Sequence, residues 1–247
     1  MSRNLRTVVF AAGAAGLAAL LGWGVAGLPA FGDYAHAYGL VLTHVEPAQR
    51  HAANVVAAVV FDYRGFDTVG EELILFAAVM GTALLLRERR EEDTRGVRDR
   101  VESDAVRAVG LVAVPVVVLL ALDLVAHGYL TPGGGFQGGV VAAAGLALVY
   151  LAGEWRAARR AAPVPLVDGA EAAGAAGFVV VGFAMLLAGG AFLENLVPLG
   201  TFGRLTSSGE IAIVNWCVGL EVCAAFVLLF LEFLEEVVGT RQEDGEA

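Results

Sequence analysis

Long uninterrupted apolar blocks constrain this chain more than any other feature. Six can be read, over residues 8–28, 69–86, 106–126, 135–152, 172–194 and 211–234. Each reaches or approaches the ~20 residues that a helix needs to cross a ~30 Å hydrocarbon core. Composition agrees: 57% of the 247 residues are hydrophobic and 17% charged, with a mean hydropathy of +0.70. Soluble domains carry about 25% charged residues. The expected fold is an all-α integral membrane protein with about six transmembrane helices.

The first block follows Arg3 and Arg6 and is longer than the roughly 7–15 apolar residues of a signal-peptide core, so it reads as a retained span. A formal charge of −10 argues against nucleic acid as a partner. Cys217 and Cys223 are six apart in one apolar block, roughly 120° around a helix axis, which disfavours a disulfide or a metal pair. No H-E-x-x-H, C-x-x-C, G-x-S-x-G or Walker A pattern occurs. The reading is therefore not an enzyme, with no cofactor and no metal site.

Arginine supplies all 16 basic residues, and its distribution sets the expected orientation. Arg3, Arg6, the seven arginines from Arg87 to Arg107, then Arg156, Arg159, Arg160 and Arg241 fall on one side. Only Arg50, Arg64 and Arg204 fall on the other. Both termini are thus expected in the cytoplasm. A charged cytoplasmic connector, residues 91–105, separates a two-helix module, residues 1–90, from a four-helix module, residues 106–247.

Carboxylates mark the candidate functional positions. The second block is purely apolar only from Leu73 to Leu86, roughly 21 Å of helix, so Glu72, Glu71 and Asp67 are drawn toward membrane depth. Ionisable groups there normally face a protein partner or a wet path; the alternative is that they favour a helix N-terminus through its dipole. Just before them, Val55–Phe61 is a short valine-rich run, expected as a β-like or re-entrant element in the first outer segment. Arg64 is expected to form a local ion pair with Asp62 or Asp67.

Glu221 lies near the middle of the last block, where an isolated carboxylate costs several kcal/mol unless protonated, paired or hydrated. Glu210, Glu221 and Glu232 recur every eleven residues and so share a helix face, spaced roughly 16 Å apart. Glu210 is expected at the outer mouth. Asp123 precedes His127 by four residues, as a helical ion pair would.

Gly133, Gly135 and Gly138 satisfy G-x-G-x-x-G, yet they follow a membrane helix rather than a strand, so the dinucleotide reading fails. Pro132 with Gly133, Gly134 and Gly135 instead makes a tight turn into a helix. Beyond it, Gly135, Gly139, Ala143 and Ala147 form a small-residue seam suited to close helix packing in lipid.

Two stretches resemble a known family. VVFDYRGFDTVGEELILFAAVMGTALLLR (Val59–Arg87) looks like the C-terminal module of the A subunit of Mrp-type multi-subunit Na+/H+ antiporters. HGYLTPGGGFQGGVVAAAGLALVYLA (His127–Ala152) resembles their B subunit, and both have counterparts in membrane-bound hydrogenases. The resemblance implies a membrane subunit of a monovalent cation (Na+)/proton antiporter complex in a prokaryotic plasma membrane. Its partners would be the other membrane subunits, the transported Na+ and H+, and the lipid bilayer. A structural subunit of a related redox-driven complex is the alternative. Asp67, Glu71 and Glu72 match the family's FDT-x-GE segment; Pro132 to Gly135 with Phe136 match its PGGGF signature. Glu221 receives no role from the resemblance and rests on its position alone.

Overall fold

A computed structural model describes residues 3–28, 37–87 and 103–243. Among the described residues, six helices are long and apolar enough to cross a membrane: Thr7–Ala26, Gly65–Leu86, Asp104–Ala126, Gly135–Ala161, Val164–Leu187 and Glu210–Glu235. The all-α expectation holds, with no strand among the described residues. The charged connector expected over residues 91–105 lies outside the described residues except for its last three.

The chain divides into two compact units, Met1–Leu42 and Thr43–Ala247. In the first, α1 (Arg3–Ala26) exposes its apolar side chains, Phe10, Leu20 and Trp23 among them; in a bilayer these face lipid or another protein. A further helix, α2 (Ala37–Arg50), crosses the boundary and carries a fully buried Glu46 in the second unit.

The valine-rich run expected as a β-like element is helical. It forms α3 (Val55–Ala58) and continues as a π-helical turn, Val59–Tyr63. Asn54 starts it: its side-chain oxygen accepts the Val56 amide at 3.1 Å, an N-cap. The residues that face the interior are Ala57, Ala58 and Phe61. Phe61 follows Ala57 and Ala58 by four and three positions, the helical and not the strand period. In so short a run the valines masked that period. Thr68 on α4 (Gly65–Arg87) then donates its hydroxyl to the Val60 carbonyl at 2.6 Å, anchoring the π-turn to the next helix.

Three more spans precede the last: α5 (Asp104–Ala126), α6 (Gly135–Ala161) and α7 (Val164–Leu187). α7 starts at Val164 rather than 172, because Pro163 occupies the cap position and Pro165 fits the first turn, where its missing N–H is harmless. It ends short of 194, at Leu187, and Gly189 just past its cap takes a φ of +97° that suits glycine.

The last helix, α8 (Glu210–Glu243), packs against α4, α5, α6 and α7 and is the most buried span. Glycine makes this possible. A Cβ on Gly139 of α6 would lie 2.8 Å from the Val222 Cβ and 2.9 Å from the Gly219 carbonyl oxygen; one on Gly135 would collide with the Asn215 carbonyl. On α7, a Cβ on Gly174 would lie 2.5 Å from the Glu221 amide nitrogen. Such backbone-to-backbone approach is how helices associate in lipid, where no hydrophobic force drives them together. The expected seam is thus present: Gly135 and Gly139 touch α8, and Ala143 is buried in the same cluster as Ala224 and Ala225. Ala147 is only half-buried.

Asn215, fully buried on α8, secures the turn between α5 and α6. Its side-chain amide donates to the Val125 carbonyl at 2.5 Å, and its oxygen accepts the Gly135 amide at 2.6 Å. Gly134 precedes α6 without a side-chain cap of its own, at φ +150°. The cap that the chain lacks locally therefore comes from another helix.

Gly139→Val should destabilise the purified protein by about 1–3 kcal/mol, because backbone atoms cannot yield to the added methyls. Asn215→Leu should cost a similar amount, about 1–3 kcal/mol, since it leaves the Gly135 amide buried and unsatisfied, while the Val125 carbonyl keeps the Gly128 amide at 3.3 Å. Gly145→Ala is the control: its Cβ would meet Val117 and Val118 at 3.8 Å, ordinary contact. Thermal unfolding in detergent should show the first two lowered and the third unchanged.

Candidate functional site

The two segments that resemble family motifs line one cleft, and the residues just before the first are bonded to the second. The Ala53 and Asn54 amides donate to the Tyr129 carbonyl at 2.9 and 3.0 Å, and the Asn54 side chain donates to the Gly128 carbonyl at 2.7 Å. Tyr129 is buried, and its hydroxyl donates to the Leu205 carbonyl. These bonds hold the start of α3 against the α5–α6 turn at Gly128–Tyr129. Beside them lies an open cleft of about 140 Å³, lined by Thr68, Glu71 and Glu72 of α4, by Gly133 to Gln137, and by Val218 of α8.

The acids of α4 divide by helix face. Glu71 is exposed where it lines the cleft; Glu72 is buried, and its Oε2 has no hydrogen-bond partner among the described residues. Glu221 lies on α8 one turn beyond Val218. It has no exposed surface, and neither of its oxygens meets a hydrogen-bond partner among the described residues. It lies within electrostatic range of Glu72 and of Glu171 on α7. Buried carboxylates of α4 and α7 thus both lie within range of the one on α8. They do not form a metal-ligand set, as no such group of three exists among the described residues.

All three glutamates of the eleven-residue series on α8 are buried: Glu210, Glu221 and Glu232. Glu210 opens the helix, and its amide donates to the Asn195 side-chain oxygen at 3.0 Å. Asn195 also donates to Asp62 at 3.3 Å, and Asp62 pairs with Arg50 at 2.5 Å. Arg64 pairs with Asp67, one of its two expected partners. Asp67 is exposed in that pair and does not line the cleft. Asp123 pairs with His127 at 2.9 Å, as the spacing implied, and neither residue lines the cleft. Cys217 and Cys223 are free thiols.

Sequence reasoning passed over Glu171 and Glu46. Glu171 falls just before the fifth apolar block; the signal that recovers it is Pro163–Pro165, which marks the true helix start. Glu46 sits in a helix with no apolar block to reveal it.

Burial pushes the Glu46 carboxyl up to about 7, with Asp62 adding to the rise and the Ala52 amide and Arg50 opposing it. Burial likewise raises Asp62, against the pull of Arg50. A folded pKa above the unfolded value means that the neutral form is the one the fold accommodates. That stability is complete below the ordinary glutamate value of 4.5 and is lost as pH rises through about 7. Glu46→Gln should therefore flatten the pH dependence of thermal unfolding, leaving the variant more stable than the parent above pH 7. An unchanged profile would contradict the assignment.

Residues 105–228 match the family described as "Domain related to MnhB subunit of Na+/H+ antiporter". An uncharacterised protein of Methanocaldococcus jannaschii is 31% identical, over 78% of this chain and 83% of its own. A probable K(+)/H(+) antiporter A/B subunit of Rhizobium meliloti is 31% identical over 62% of this chain and only 17% of that protein. Among solved structures, a chain of the Mrp complex from Dietzia sp. DQ12-45-1b superposes with a TM-score of 0.69 at 28% identity, covering 94% of this chain and 26% of that one. A chain of the membrane-bound sulfane sulfur reductase, an archaeal respiratory membrane complex, gives 0.68 at 29% identity, covering 93% of this chain and 98% of that one. This chain therefore spans a minor part of the Rhizobium and Dietzia proteins and nearly the whole of the archaeal one. With half its length matched by the family and a relative of comparable size, the chain belongs to the family of membrane domains related to the MnhB subunit of Na+/H+ antiporters.

Proposed function

We propose that this chain is a membrane subunit of a multi-subunit monovalent cation/proton antiporter, contributing to the ion path and to assembly. The observation that carries the reading is the meeting of the two motif segments at one cleft, with Glu71 at its mouth, Glu72 beneath and Glu221 beyond. An acid buried in a membrane span without a hydrogen-bond partner is expensive, and such groups usually serve translocation. The exposed apolar faces of α1 and α5 suit neighbouring subunits. In this reading the chain lies in a prokaryotic plasma membrane with both termini cytoplasmic, and the cleft opens outward. Residues 1–90 and 106–247 act as two modules joined by the charged connector. The transported ions are H+ and Na+ or K+, the ions for which the family and the Rhizobium relative are named.

The match to a chain of a respiratory complex over 98% of that chain favours one second reading. There the same subunit would serve a redox-driven complex whose electron chemistry belongs to other subunits. Purifying the intact assembly with its neighbours identified separates the two readings.

Transport in vesicles tests the ion path under either reading. With the assembled complex intact, Glu221→Gln and Glu72→Gln should each reduce cation-dependent proton exchange at least tenfold, and Glu71→Gln should reduce it less. Full exchange with normal assembly in both of the first two variants would overturn the proposed path.

A further inference from the structure

Glu221 and Glu232 are eleven residues apart on α8, roughly 16 Å along the axis. A proton passes between groups joined by a hydrogen bond or one water, so a route that reached Glu221 would stall there. A third carboxylate stands in that gap. Glu171 of α7 is fully buried and within electrostatic range of Glu221. Its position follows from the helix contact. Gly174 lets α7 press on α8 at Glu221, since a Cβ there would lie 2.5 Å from the Glu221 amide and 2.8 Å from the Cys217 carbonyl. Glu171 lies three residues before Gly174 on the same face, roughly 4.5 Å further from the cleft. Val167, one turn beyond, is buried in a cluster with Ala158, Ala162 and Leu231, at the end of the unit where α6 passes into α7. Glu171 therefore occupies the interior between Glu221 and the arginine-rich end.

We propose that Glu171 is the proton carrier that takes over from Glu221, extending the route Glu72–Glu221 toward the arginine-rich end. This rests on the ion-path reading of Glu72 and Glu221. Carboxylates from three helices that do not converge as ligands suit stepwise transfer through water better than chelation of a bare cation. The acidic cluster is more than a coincidence of charge, because Glu221, within electrostatic range of both Glu72 and Glu171, is fully buried with both oxygens lacking a hydrogen-bond partner among the described residues. In each step the protonated carboxyl of Glu221 gives its proton through water to the Glu171 carboxylate. Glu221 is left as carboxylate and Glu171 as acid. Asp168, half-buried three residues earlier on α7, is next toward that end.

The test uses the assembled complex in vesicles. Glu171→Gln should reduce proton-coupled exchange at least tenfold, while Glu171→Asp keeps most of it with a displaced pH profile. Normal exchange in Glu171→Gln alongside impaired Glu221→Gln would overturn the role of Glu171 and leave the ion-path reading standing. Normal exchange in both would remove that reading as well. If Glu171→Gln weakens assembly, Glu171→Cys in an otherwise cysteine-free complex answers the same question. Modification by a hydrophilic thiol reagent applied from the arginine-rich side supports a wet route at this position; resistance to it overturns the proposal.

Discussion

Direct contact between helix backbones is the interaction on which the rest of this structure depends. In lipid, apolar side chains gain little by meeting one another, so helices hold together where backbones can come close. Gly135 and Gly139 on α6 and Gly174 on α7 supply that approach, all against α8. The consequence is a central helix sealed on several sides, with Val214, Val218, Val222 and Leu228 fully or nearly fully buried. Asn215 uses the same closeness differently. It reaches two backbone groups of the α5–α6 turn that no local side chain satisfies.

The same packing sets which carboxylates are buried. Glu221 faces protein because Gly174 draws α7 over it, and Glu72 faces protein because Thr68 and the π-turn hold the start of α4 inward. Neither acid is on the lipid face. Their burial follows from the packing of small residues, and so does their separation from Asp67 and Asp123, whose exposed oxygens find local partners in Arg64 and His127. One interior set and one surface set of acids result, and they differ in what they can do. Surface pairs contribute little beyond local shape. Interior acids face protein and one another, the arrangement that the proposed proton route requires.

Much of this was legible in the sequence, for reasons that can be named. The spans were visible because a bilayer demands uninterrupted apolar length, and the Gly135–Gly139 seam was visible because small residues recur at helical spacing. The face shared by Glu210, Glu221 and Glu232 followed from arithmetic on the helix period. Val55–Phe61 misled because valine favours strands in general, while here Asn54 caps a helix and the buried residues keep helical spacing. Glu171 was hidden by the charged Asp168 beside it, which made the fifth span look shorter than it is. Asn215 and Glu46 carried no local signal, since their importance comes from partners distant in sequence or from burial alone.

The central claim is that the interior acids line a wet route rather than merely holding subunits together. A cryo-electron-microscopy map of the intact complex, at a resolution that shows ordered water, tests it most directly. The account predicts water density linking the cleft to Glu72 and Glu221 and continuing past Glu171. Dry carboxylates paired with basic side chains of neighbouring subunits would contradict it.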